Sequence, residues 1–160
     1  MDIHLDKLKF SFTEKPLLVG GKAMEYYGLR QSGADIDLIA VKEDVFNLIE
    51  LFPDRVKDLW GDLGVCPYEF EIWKSICLFT YDDLLENAVD EGDFLVISLE
   101  KLLLMKALAM NIEKYLKDTQ LIVQKILFKK YKSFYLVKAE NRKFVSNVQG
   151  ISYVEKTGPE

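Results

Sequence analysis

Apolar and polar positions alternate along the chain in stretches short enough to delimit elements. The run Lys15-Pro16-Leu17-Leu18-Val19 stops abruptly at Gly20-Gly21, which predicts a short strand running into a tight glycine turn. Lys22 to Tyr27 predicts a short helix stopped at Gly28, and Ser32-Gly33 a turn. Ala34 to Val41 then predicts a strand whose opening alternation sets Asp35 and Asp37 on one face and Ile36 and Leu38 on the other. From Glu43 to Phe52 the apolar positions Val45, Phe46, Leu48, Ile49 and Phe52 follow a helical spacing that Pro53 ends.

Arg55 to Leu59 and Val65 to Trp73 predict two more strands separated by a Gly61-Asp62-Leu63-Gly64 turn, with Ser75 to Phe79 continuing the sheet. Glu69 and Glu71 share one face of the second of these. Tyr81 to Ala88 reads as a short helix and Phe94 to Ile97 as a brief strand. Ser98 reads as the N-cap of a helix carrying Leu102, Leu103, Met105, Leu108 and Ala109. A second amphipathic helix is expected from Ile112 to Lys130. Past Tyr131, Phe134-Tyr135-Leu136-Val137 suits a strand, Glu140 to Val148 suits a helix or a hairpin, and the last residues, Thr157 to Glu160, are expected to fray. The pattern as a whole predicts an α/β (α+β) fold with a short mixed sheet flanked by helices.

The 160 residues suffice for one compact unit, divided here into a core over residues 1–97 and a C-terminal helical lobe over 98–160. With 49% hydrophobic and 29% charged residues the chain has an ordinary globular composition. The apolar stretch around Leu102 to Met110 is interrupted by Lys106 and falls short of the ~20 residues a bilayer requires. Acids follow Met1 directly, so no secretory signal is read there, and a cytoplasmic protein without membrane contact is expected. Cys66 and Cys77 form no CxxC pair and have no histidine nearby, which predicts two buried reduced thiols. His4 is the only histidine, so histidine-based acid-base chemistry is set aside.

A net charge of −5 disfavours binding to extended DNA while leaving a nucleotide or a local RNA end as a partner. Basic residues gather between Lys101 and Lys143, whereas Asp35 to Asp62 and Asp82 to Asp93 are acid-rich. That asymmetry predicts a basic helical segment facing an acidic metal centre.

The chemistry concentrates between Leu18 and Leu38. Glycines at 20 and 21 let backbone N–H groups approach phosphate, a helix beginning near Lys22 favours negative charge, and Asp35 and Asp37 supply hard oxygen ligands from one strand face. Two carboxylates so placed repel each other unless a cation lies between them. The pattern of an apolar residue, Gly20-Gly21, a spacer, and Asp35-Ile36-Asp37 between apolar residues resembles the nucleotidyltransferase superfamily that shares the DNA polymerase beta catalytic core.

The resemblance implies a polymerase beta type of sheet, Mg²⁺ or Mn²⁺, and a nucleoside triphosphate as substrate, with a nucleoside monophosphate passed to an acceptor and pyrophosphate released. It implies a third acid on a neighbouring strand, for which Glu71 is favoured and Glu69 is the alternate. It extends more weakly through Ser98-Leu99-Glu100-Lys101-Leu102, Lys106 and Lys117-Asp118, which look like the helical segment of small uncharacterised relatives where the inward lysines and the Lys-Asp pair sit near the nucleotide. The acceptor is left open between a small molecule, an RNA end and a protein side chain. Gly21 replaces the serine common at the second motif position, and an alternative function follows from that departure: a nucleotide-binding regulatory or toxin-antitoxin component with little catalysis.

Other residues carry two readings. Arg30 and Ser32 contact phosphate or cap the connection. Lys106 either reaches phosphate or lays its stem along an apolar surface with its ammonium in water. Lys117-Asp118 reads as a helix-surface pair, and Tyr26, Tyr27 and Trp73 as core residues.

Overall fold

The computed structural model describes residues 1–130. The expectations for Phe134 to Val137, Glu140 to Val148 and Thr157 to Glu160 lie outside the described residues. Met1–Val123 form one compact unit and Gln124–Glu160 a second, and every candidate site residue belongs to the first.

The strands, in chain order, are β1 (Leu17–Leu18), β2 (Ile36–Ile39), β3 (Val56–Leu59), β4 (Asp62–Val65), β5 (Phe70–Trp73), β6 (Ser75–Ile76), β7 (Phe79–Thr80), β8 (Val89–Asp90) and β9 (Leu95–Val96). The helices are α1 (Gly20–Tyr26), α2 (Lys42–Leu51), α3 (Tyr81–Leu84), α4 (Leu99–Leu108) and α5 (Glu113–Lys130), with two single-turn 3₁₀ segments at Leu5–Leu8 and Pro53–Arg55. Among the described residues, seven strands form one open mixed sheet in the order β3-β4-β5-β2-β1-β9-β8. β2 runs parallel to β5 and β1 parallel to β9, while the other neighbours are antiparallel. The fold is therefore mixed α and β, with helices around a mixed sheet.

The central strands are apolar on successive residues because both of their faces are covered. Leu17, Leu18, Leu38, Phe70, Ile72 and Val96 are all removed from solvent, as are Met24 of α1, Leu48 of α2 and Leu102 of α4. At about 25 cal/mol per Å² of apolar surface, burial of side chains this size is the main stabilising term of the unit. α1 ends where the sequence expects it, because Gly28 takes φ +64° and the Leu29 N–H reaches back to the Met24 carbonyl at 3.0 Å. Ser98 caps α4 through its hydroxyl, which accepts from the Lys101 N–H at 3.3 Å.

The β3–β5 region departs from expectation in two places. Val65 to Trp73 is not one strand: Pro67 has no N–H for the ladder, the Phe70 N–H bonds back to the Pro67 carbonyl, and Tyr68 turns through φ +54°. The hairpin turn is also tighter than Gly61 to Gly64. Leu59 pairs with Asp62, which leaves Trp60 and Gly61 as a two-residue loop, both at positive φ. Gly64 thus lies inside β4, where a Cβ would come within 2.4 Å of the Trp73 ring.

The segment after β5 does not extend the large sheet. β6 and β7 make a separate hairpin whose tip residues Cys77 and Leu78 both have positive φ. Asp62 holds that tip by accepting from the Ser75 hydroxyl at 2.7 Å and from the Cys77 and Leu78 N–H groups at 2.6 and 3.0 Å. Cys77 is exposed there and Cys66 half-buried, so the thiols are not a buried pair. α3 stops at Leu84, short of Ala88. No helix among the described residues is long and apolar enough to cross a membrane.

Candidate functional site

The site is built on the sheet face that Asp37 and Glu71 share with the buried Ile39 and Trp73. Parallel pairing of β2 with β5 puts Asp37 directly beside Glu71, while Ile36 and Phe70, Leu38 and Ile72 pair with their side chains in the core. A strand alternates its faces with period two, so the apolar positions that drive folding also fix where the two carboxylates emerge. The β1–α1 turn closes over Asp37 from the other side. Gly20 sits at φ +61°, and a Cβ there would fall 1.9 Å from the Asp37 Oδ2 atom, so only glycine fits. Gly21 is less restricted, its nearest neighbour being the Ser32 Cβ at 3.6 Å.

Burial raises the Asp37 carboxyl above its usual pKa, and the charge of Glu71 raises it further, with Asp35 adding to the effect. The Gly21 N–H, hydrogen-bonded to Asp37, and the Lys106 ammonium act in the opposite sense. Thus the N–H expected to meet phosphate is directed at Asp37. The residual imbalance of negative charge is of the kind a cation relieves. Asp35 is exposed, immediately before β2.

Glu71 accepts from the Lys57 Nζ atom at 2.9 Å, a contact that also holds the Lys57 ammonium above its ordinary pKa. Glu69, the alternate third acid, is directed elsewhere: it pairs with Lys7 and lines a separate depression beside Lys22, Ala34 and Ile36. Lys22 bonds Glu25 at 3.1 Å, and the Ser32 hydroxyl bonds the same Glu25 oxygen at 2.5 Å. The structure therefore brings together Gly20, Asp37, Glu71 and Lys106, while Lys22 and Ser32 are engaged with Glu25 and Glu69 with Lys7.

A cavity of about 280 Å³ opens beside Asp37 and Gly20. Its walls are largely apolar, with Trp73 from β5, Leu102 and Met105 from α4, and Tyr115 from α5. Among the described residues that line it, Lys106 is the only cation. That lysine is 7% exposed, and burial lowers its pKa against the pull of Asp118. Its Nζ lies 3.3 Å from Asp118 and 4.8 Å from the Tyr115 ring centroid. It is not a solvated ammonium on an apolar stem.

Asp118 is the residue that the surface-pair reading of Lys117-Asp118 misplaces, although the resemblance sets that pair near the nucleotide. It is 1% exposed and takes a bidentate pair of hydrogen bonds from Arg30, at 2.6 and 2.8 Å, besides its contact with Lys106. Burial alone would raise its carboxyl; the Arg30 hydrogen bond and the Lys106 charge bring it below the usual value. Lys117 pairs with Glu113 at 2.6 Å, so Lys117-Asp118 is not a surface pair. Neighbours in a helix point about 100° apart, and Asp118 shares the inward stripe of Tyr115 and Ile122. That i, i+3, i+7 spacing was the available signal. Tyr27 and Tyr26 place their hydroxyls on the Ile97 carbonyl and Glu91, which makes them packing residues, whereas Trp73 is both buried and part of the cavity wall.

Carboxylate oxygens are the donors hard divalent cations take. Among the described residues no three His, Cys, Asp or Glu side chains stand together as a complete metal cluster. Asp37 and Glu71 stand side by side in the β2–β5 ladder, with Asp35 at the strand's foot. Comparison of the chain with protein-family models, with curated proteins and with solved structures finds no match.

Proposed function

We propose that this chain is a divalent-metal-dependent nucleotidyltransferase with a polymerase beta type of core. The observation that carries the reading is the in-register pair Asp37 and Glu71, set beside a Gly20 turn that excludes any side chain, at the wall of a cavity reached by the buried cation Lys106. Asp35, Asp37 and Glu71 would hold Mg²⁺ or Mn²⁺, which supplies Lewis-acid polarisation of the α-phosphate and charge neutralisation for the leaving pyrophosphate.

The chain's own groups do the rest. Lys106 offers its ammonium to phosphate oxygens, and Asp118 and Tyr115 hold it in place. Arg30, clamped by Asp118, fixes the connection that leads into Asp35. The apolar cavity wall excludes water from the reacting phosphate, so an acceptor hydroxyl rather than solvent attacks. The new O–Pα bond forms as the bond from Pα to the bridging β-oxygen breaks. Glu71 receives the acceptor's proton and pyrophosphate departs.

Two contacts favour a second reading. Glu71 is held by Lys57 and the Gly21 N–H by Asp37, an arrangement that suits a nucleotide-binding regulatory or toxin-antitoxin component with little turnover. The two readings part on pyrophosphate. Purified protein given each nucleoside triphosphate, Mg²⁺ or Mn²⁺, and cell extract should release pyrophosphate and label an acceptor from the α-phosphate. Thermal stabilisation by a triphosphate without pyrophosphate release supports the regulatory component, and neither effect with any triphosphate overturns both.

A further inference from the structure

Lys57 lies on β3, the edge strand of the sheet, opposite Gly64 of β4. The Lys57 side chain reaches across β4 past the Cys66 thiol and ends on Glu71 of β5, 2.9 Å from its Oε1 atom, while the Trp73 ring fills the space over Gly64. Glu71 in turn stands beside Asp37 in the β2–β5 ladder. The ammonium therefore occupies the carboxylate that a divalent ion bridging Asp37 and Glu71 would need. An ammonium and a divalent cation on one carboxylate repel each other, so the two occupancies exclude one another.

We propose that Lys57 is a built-in competitor for the metal site: it holds Glu71 while no ion is bound, is displaced when a divalent cation arrives, and so sets the cation affinity of the site. The inference rests on the metal-dependent reading of the same carboxylates. Displacement is easy on the lysine side, because its side chain is 49% exposed and passes readily to solvent. It is useful on the glutamate side, because Glu71 keeps a counter-charge next to Asp37 whether or not the ion is present. The ion is then held firmly only when a substrate's phosphates add ligands of their own, which couples metal retention to nucleotide binding.

The test is Mn²⁺ binding, followed by electron paramagnetic resonance of the unbound ion, in wild type, Lys57→Gln, Lys57→Met, Lys57→Arg, Glu71→Gln and the Lys57→Gln/Glu71→Gln double variant. Lys57→Gln and Lys57→Met should each tighten Mn²⁺ binding about two- to fivefold, the range of a part-exposed ion pair, and Lys57→Arg should leave it near wild type. In the Glu71→Gln background the Lys57→Gln change should have no effect. Unchanged or weaker binding in both neutral variants overturns the proposal and leaves the metal reading standing. A gain that persists without Glu71 also overturns it, since that is a general field effect. No Mn²⁺ binding by any of these proteins overturns both the inference and the metal reading beneath it.

Discussion

Gly20 shows how a single residue sets the site. Its φ of +61° and the 1.9 Å approach to Asp37 that a methyl group would make leave no substitute. Gly20→Ala should cost about 2 kcal/mol through the left-handed backbone alone, and should push the Asp37 carboxylate out of place as well. Gly21→Ala has ordinary contact distance to Ser32 and should leave the melting temperature nearly unchanged. Comparing the thermal melts of the two variants checks this, and equal destabilisation would count against the geometry of the turn. The importance of the Gly20-Gly21 pair was legible in the sequence, but which glycine is indispensable was not. That depends on where Asp37, seventeen positions later, returns to the turn.

Among the elements, α5 carries the contact that local reasoning reads wrongly. Asp118 and Arg30 are 88 positions apart, so no window on the sequence pairs them. The adjacent Lys117 suggests a surface partner that helix geometry rules out. Asp118→Ala leaves Arg30 and the buried Lys106 without their shared counter-ion and should cost about 3 kcal/mol, the range for breaking a buried pair. The loss should depend on pH. The Asp118 carboxyl is held below its ordinary 3.8 in the folded protein, so its contribution is full above that value and is lost as pH falls through the lowered one. Urea denaturation of wild type and variant should differ most at neutral pH and converge in acid. A constant difference across pH would mean that the variant loses packing alone.

Strands and helices were legible wherever their apolar period is strong, as in β1, β2, α2 and α4. The errors share a physical cause. Pro67 breaks a segment that composition alone reads as continuous, and the Trp60-Gly61 loop takes two positive φ values of which only glycine's is visible in advance. The brief β8 is defined by its pairing with β9 rather than by any pattern of its own.

Over the whole molecule, the mixed sheet assembles one constellation from three distant stretches: the turn and strand from Gly20 to Asp37, Glu71 on β5, and Lys106 with Asp118 on the last two described helices. The first stretch was legible because its spacing is local. Glu71 is favoured over Glu69 only through the resemblance; the strand order that sets it beside Asp37 was not legible, since it depends on parallel pairing of β2 with β5 across the β3–β4 hairpin. The central claim is that this face binds a triphosphate together with a divalent ion through Asp37. The most direct test is calorimetric titration of wild type and Asp37→Asn with a non-hydrolysable triphosphate analogue, with and without Mg²⁺. Burial and the neighbouring Glu71 charge raise the Asp37 carboxyl, so neutralising it should keep the metal-free protein folded with an equal or higher melting temperature at neutral pH. Wild type should bind the analogue at least about tenfold more tightly with Mg²⁺ than without it, a coupling of about 1.4 kcal/mol, and the folded variant should lose that dependence. Failure of wild type to bind, or the same Mg²⁺-dependent binding in Asp37→Asn, would contradict the account.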